Sequence, residues 1–117
     1  MRAVNVDCHY GCPVEVTLDI LGGKWKGIIL YHLMGRKRRF NEFRRLIPDV
    51  TQRILTLALR ELERDGIVER TIYPEVPPRV EYELTDFGKT LEPIIRLMRD
   101  WGAEYRKTLS KARQMAA

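Results

Sequence analysis

Apolar and polar positions divide the chain into short helices up to Asp65, two strands after it, and one long closing helix. Pro13 suits the first turn of a helix, and Val14, Val16, Leu18, Ile20 and Leu21 give it apolar surface before Gly22-Gly23 ends it. Lys24–Met34 predicts a second helix, apolar on most sides through Trp25, Ile28, Ile29, Tyr31, His32 and Leu33, with Gly35 as its cap. A helix without a polar face belongs at the centre of a core. Phe40, Phe43, Leu46 and Ile47 then recur at helical spacing, which predicts a short helix over Phe40–Leu46 that Pro48 stops.

The next segment is the most two-faced. Thr51 has the chemistry of an N-cap and Gly66 that of a stop. At ~100° per residue, Ile54, Leu55, Ala58, Leu59 and Leu62 share one sector, while Gln52, Arg53, Thr56, Arg60, Glu63 and Arg64 lie opposite. Leu57 falls outside the apolar sector. Only Ile47–Val50 separates this helix from the one before, the spacing of a helix-turn-helix.

After Gly66 the period changes. Ile67–Tyr73 is rich in β-branched residues, Pro74-Glu75-Val76-Pro77-Pro78 excludes helix and central strand, and Val80, Tyr82 and Leu84 alternate with Glu81 and Glu83. A helix-turn-helix followed by a β-hairpin is a winged helix. The closing helix starts at a Thr85-Asp86 cap and reaches about Lys111, with a stripe of Phe87, Leu91, Ile94, Ile95, Met98, Trp101, Gly102, Tyr105 and Leu109. Pro93 lies inside it and predicts a kink or a break into two helices. The fold class is therefore mainly α with a small β-hairpin (α+β). It forms a single winged-helix domain over residues 1–117: an N-terminal arm (1–11), helix-turn-helix plus wing (13–84) and a C-terminal dimerisation helix (85–111).

Composition narrows what such a fold does. A hydrophobic fraction of 44% beside 32% charged residues fits a globular chain, not a disordered one. The net charge of +5 admits nucleic acid as a partner without demanding it. No apolar run approaches the ~20 residues of a membrane span, and no signal-peptide core is present, so no membrane partner and a cytoplasmic location are expected. No catalytic arrangement emerges. Gly22-Gly23-Lys24 lacks P-loop spacing, and His9 and His32 have no triad-like partners, so the chain is read as a non-enzyme without cofactors.

The chemistry that remains suits DNA. Gln52, Arg53 and Thr56 sit in the first two turns of the two-faced helix, where side chains reach base edges: Arg to guanine, Gln to adenine, a Thr or Leu methyl to thymine. The bland alternative is a solvated helix face. Thr51 borders this face, whereas Arg60 and Arg64 have Glu61, Glu63 and Asp65 as competing partners. Arg36-Lys37-Arg38-Arg39, with Arg44 and Arg45, are candidates to neutralise phosphates; the alternative is a solvated charged loop. Arg79, beside Pro77-Pro78, is placed to enter a minor groove, unless the tip is a plain turn.

Cys8 and Cys12, spaced C-x3-C around His9, fall short of a four-ligand zinc site, so no metal is expected. Cys12 stands at a helix start, where the dipole favours an anion; it is either a redox-active thiol or a packed structural cysteine. Trp25, Tyr31, Trp101 and Tyr105 line a ligand pocket, a core or an interface. The closing stripe has more apolar surface than one small domain covers, and a twin chain would bury Leu91, Ile94, Ile95, Met98, Trp101 and Tyr105. Pairing would also set two reading helices about one DNA turn (~34 Å) apart, as an inverted-repeat operator requires.

Several runs, in order, resemble the HxlR family of winged-helix regulators, related in fold to the MarR group. They are Cys12-Pro13-Val14, Leu21-Gly22-Gly23-Lys24-Trp25, Arg39-Phe40-Asn41-Glu42-Phe43, Ile47-Pro48 and Thr51-Gln52-Arg53, followed by Leu59-Arg60-Glu61-Leu62-Glu63, Asp65-Gly66-Ile67-Val68 and Val80-Glu81-Tyr82-Glu83-Leu84-Thr85. The resemblance covers nearly all of Cys12 to Tyr105. It implies a homodimeric regulator of double-stranded DNA, a repressor or a dual regulator, dimerising through N- and C-terminal helices with the wing on the neighbouring minor groove. It also implies thiol-based sensing as one mode of control through Cys12, and leaves a small-molecule effector open. This chain departs from the family at Leu57-Ala58, where polar residues are usual. The rival reading is a winged-helix protein-interaction module with an incidental basic face, and a small enzyme ranks third.

Overall fold

The computed structural model describes residues 11–116. The expected arm and Cys8 therefore lie outside the described residues, apart from Gly11. In chain order the elements are α1 (Pro13–Leu21), α2 (Trp25–Leu33), β1 (Arg38–Arg39), α3 (Phe40–Leu46), α4 (Gln52–Arg64), β2 (Val68–Tyr73), β3 (Arg79–Leu84), α5 (Asp86–Lys89) and α6 (Glu92–Ala116). This is a winged helix-turn-helix.

Local chemistry explains the boundaries of α4. The Thr51 hydroxyl accepts the Ile54 N–H at 3.1 Å and closes the first turn. At the other end Gly66, at φ +76°, lets the chain leave the helix: its N–H reaches Glu63 O at 3.1 Å and Ile67 N–H reaches Leu62 O at 2.9 Å. That bond pair is the Schellman arrangement, and it delivers the chain directly into β2. The turn before α4 is equally tight. Ile47 N–H bonds Phe43 O at 2.8 Å and Val50 N–H bonds Ile47 O at 3.1 Å, with both Ile47 and Val50 buried.

The sheet has three strands in the order β1-β3-β2, both pairs antiparallel. A two-stranded hairpin was expected. The end of the basic run supplies the third strand, Arg38 opposite Tyr82 and Arg39 opposite Glu81. The reason is that β2 covers only one edge of β3, and an extended segment after Gly35 satisfies the other. With neighbours on both sides, β3 does not show the clean alternation its sequence suggests, and Glu81 is half-buried.

The core joins α2, α4 and the sheet. Ile29, Leu30 and Leu33 from α2 meet Leu55, Leu59 and Leu62 from α4, with Phe43, Ile67 and Val68 closing it. The Phe43 ring stands edge-on to Tyr82, centroids 6.3 Å apart. One cation is buried here. Lys26 is 7% exposed and pairs with Glu61 of α4, tying the central helix to the two-faced one. A lysine on an apolar helix gave no sequence signal for that pair. Once buried, it makes its carboxylate partner indispensable, because an unpaired interior charge is costly.

Pro93 produces a break, not a kink. Helix α5 ends at Lys89 and α6 begins at Glu92, so Pro93 sits in a first turn, where its missing N–H costs nothing. The Thr85 hydroxyl caps α5 by accepting Gly88 N–H at 2.9 Å and donates to Gly66 O at 2.6 Å. Gly88 lies so close to the Ile67 carbonyl that a Cβ would collide with it. The break shifts the helical phase, which leaves Phe87, expected in the stripe, exposed. Ile54 is also exposed, because the first turn of α4 projects past the core. Helix α6 continues to Ala116, beyond the expected Lys111.

Candidate nucleic-acid interface

The N-terminal half of α4 presents Gln52, Arg53 and Leu57 to solvent, with Thr56 partly covered. The apolar side, Leu55, Ala58, Leu59 and Leu62, is anchored in the core, so the outer side has one fixed orientation. The Thr56 hydroxyl donates to Gln52 O at 2.8 Å, which leaves its methyl and lone pairs for a partner. Thr51, spent on capping, remains exposed beside it.

Cations around this face fall into two groups that the sequence could not separate. Arg39, Arg44, Arg45, Arg53, Arg60 and Arg64 make no ion pair among the described residues. The others are engaged. Arg36 lies 3.8 Å from Glu42, and Lys37 lies 3.9 Å from Glu83, whose charge raises the Lys37 pKa above its ordinary value. Arg38 is half-buried, with Nε donating to His32 O at 2.8 Å and Nη1 3.5 Å from Glu42. It fastens β1 to the end of α2 and is not a free phosphate contact, which corrects the uniform basic run. Burial and the Arg38 charge together lower the His32 pKa.

Glu42 organises this corner. Its Oε1 accepts Arg39 N–H at 3.0 Å, and that bond is the main reason its carboxyl titrates below the usual range; Arg38 and Arg36 add to it. Glu42 stands three residues into α3 after the extended Arg39, the capping-box position, and that spacing is the signal by which the sequence could have singled it out. Arg79 is likewise not free at the wing tip. Its guanidinium stacks on Tyr73 at 4.1 Å from the ring centroid and lies 3.3 Å from Glu75 and 4.0 Å from Glu81. It stiffens the base of the wing, and the tip itself is Val76-Pro77-Pro78, fully exposed at Val76.

Cys12 is exposed and directly precedes α1, with no side-chain bond capping the helix. The closing stripe divides in two. Ile95 is only 4% exposed and belongs to the protomer's own core, with Leu91 packed beside it, so the expected interface role of Ile95 is corrected. Ile94, Met98, Trp101 and Tyr105 remain exposed, and Leu97, which the stripe had not included, joins them. Val14 and Leu18 of α1 are exposed as well. No helix among the described residues is long and apolar enough to cross a membrane.

Known proteins resemble this arrangement closely. A family model described as HxlR-like helix-turn-helix matches residues 20–110. The HTH-type transcriptional regulator YdeP of Bacillus subtilis (strain 168) is 65% identical over 105 residues, covering 90% of this chain and 82% of its own length. YybR of the same strain, also named an HTH-type transcriptional regulator, is 62% identical over 103 residues, covering 88% and 82%. Among solved structures, the redox regulator HypR in its reduced form superposes with a TM-score of 0.82 at 61% identity, covering 86% of this chain and 99% of that one. The reduced form of the transcriptional regulator YodB from B. subtilis gives a TM-score of 0.69 at 38% identity, covering 80% and 93%. The chain belongs to the HxlR-like helix-turn-helix family of transcriptional regulators.

Proposed function

We propose that the protein acts as a homodimer on an inverted-repeat operator, with α4 of each protomer in a major groove. The observation that carries this is the exposed polar start of α4, locked by its cap and core side and surrounded by arginines that make no ion pair among the described residues. Gln52, Arg53 and Thr56 read base edges; Arg39, Arg44 and Arg45 neutralise phosphates; the wing tip enters the neighbouring minor groove. Arg60 and Arg64, further along α4, meet the backbone where the helix leaves the groove. The reading is tested by gel shift on the DNA upstream of the coding region. Arg53→Ala should lose about 1–3 kcal/mol of specific binding and discriminate less between sequences. Unchanged specific binding by this variant would overturn the assignment. A salt slope of several units on duplex DNA separates this reading from a protein-interaction module.

A thiol response fits the same reading. Cys12 is exposed at a helix start, and HypR, one of the structures this chain resembles, is named a redox regulator in reduced and oxidised forms. The sequence holds two cysteines, so any disulfide joins Cys12 to Cys8, to a second copy or to a small thiol. A thiol oxidant should change operator affinity, and Cys12→Ser should abolish that change. A serine variant that responds like the wild type rules the sensor out.

A further inference from the structure

The outer face of α4 carries one residue that hydrogen-bonded base contacts and phosphate contacts leave unexplained. Leu57 is 48% exposed. It belongs to the pair Leu57-Ala58, where this chain departs from the family, and the fold separates the two. Ala58 is 7% exposed and lies in the core, so the departure changes the surface at Leu57 alone. Ile54, the other exposed apolar residue of α4, borders the core side of the helix.

Cations surround Leu57. Arg53 stands four residues before it, Arg60 three after and Arg64 seven after, spacings that put all four on one side of a helix. The three arginines are exposed and make no ion pair among the described residues. Glu61 and Glu63 border the same open depression as Leu57, Arg60 and Arg64, but both are engaged elsewhere, Glu61 with Lys26 and Glu63 with Arg70 at 3.5 Å. What remains is an apolar centre ringed by guanidinium groups. The arginines hold such a face against a nucleic acid, and its centre then meets the floor of the groove.

A leucine there neither donates nor accepts a hydrogen bond. Opposite a polar base edge it would displace water from donors and acceptors and leave them unmatched. The apolar group that the major groove presents is the C5-methyl of thymine. We propose, on the reading that α4 lies in a major groove, that Leu57 is a specificity-determining residue that packs on a thymine methyl in each half-site. Four residues of helix rise about 6 Å, which places this thymine within about two base pairs of the base that Arg53 contacts. Leu57 thus selects by shape and desolvation where Gln52 and Arg53 select by hydrogen bonds.

The test starts from a pool of random duplexes, from which the full chain selects its tight binders. The selected duplex is then remade with uracil in place of each thymine in turn, which removes the methyl and keeps the base pairing, and affinity is read by fluorescence anisotropy. Substitution at the Leu57 position should weaken binding about fourfold in one half-site and about fifteenfold in both, the loss of one and of two buried methyl groups. Leu57→Ala should bind the thymine and uracil forms of that position equally well. Leu57→Gln, reselected from the same pool, should no longer choose thymine there while the flanking bases stay the same. A wild type indifferent to uracil at every position overturns the assignment. So does a Leu57→Ala protein that keeps the wild-type ratio throughout, since the methyl is then read by another residue such as Thr56. If the wild type selects no sequence at all, the assignment falls together with the DNA reading; if it selects one but ignores the methyl, Leu57 alone is wrong.

Discussion

Phe43→Ala is expected to lower the stability of the protein by about 3–5 kcal/mol, the usual cost of removing a buried aromatic ring. Phe43 is 0% exposed, and its ring meets Tyr82 edge-on across the junction between α3 and the sheet. Two losses combine. The ring no longer leaves water on folding, and the space it filled cannot collapse easily, because the backbone on one side is a paired strand. The Phe43 carbonyl also accepts the Ile47 N–H at 2.8 Å, so the turn that positions α4 starts from this residue. Against a typical domain stability of about 5–15 kcal/mol, the loss removes a large part of the total. Urea unfolding at fixed protein concentration measures it: the midpoint should fall while the slope stays constant. Phe43→Leu, which keeps most of the volume, should cost clearly less. A loss below about 1 kcal/mol for the alanine variant would mean that the junction relaxes around the hole.

What the sequence shows of this fold is what one turn of chain decides. Thr51, Thr85 and Gly66 act through bonds to residues a few positions away, and each is found where its residue type predicts. The winged helix follows because its elements occur in order. Long-range pairing was not visible. Nothing in Arg36–Arg39 announces that two of its residues pair with Glu81 and Tyr82 as a strand. Nor does the run show that Glu42 and Glu83 engage three of its cations. The candidate interface sharpens accordingly. A basic run reads as one patch, but folding sorts its members by which carboxylates the tertiary structure brings near.

The same distinction explains the closing stripe. Helical spacing shows that Ile95 and Trp101 share a side of α6, but not where the protomer's own core ends. The core reaches only the first turns of the helix, so Ile95 is covered and Trp101 is 57% exposed. The remaining helix extends from the body, and the molecule measures 55 × 39 × 25 Å along its principal axes. Core and exposed row are consecutive sections of one amphipathic pattern, and only the three-dimensional arrangement locates the division.

That division sets up the other large effect. Ile94, Met98, Trp101, Tyr105 and Leu109 recur along α6 at three- and four-residue steps, with Leu97 beside Met98, and each is exposed in the protomer. Trp101 and Tyr105 lie with ring centroids 5.0 Å apart and planes tilted by 44°, which puts two aromatic rings side by side in the middle of the row. In the proposed homodimer, pairing with a twin helix would remove that surface from water, and Trp101→Glu would place two charges, one from each copy, where the surfaces meet. The variant should run as a monomer at concentrations where the wild type is a dimer, measured by light scattering after size exclusion. Its folding should change little, because Trp101 leaves few protomer contacts behind. Operator affinity should fall by about 10²–10⁴-fold, since each half-site is then bound without the effective concentration its partner provides. Binding to a duplex carrying one half-site should stay the same, which separates loss of pairing from damage to α4. A variant that remains dimeric, or a wild type that is monomeric on its operator, would refute the seam on α6.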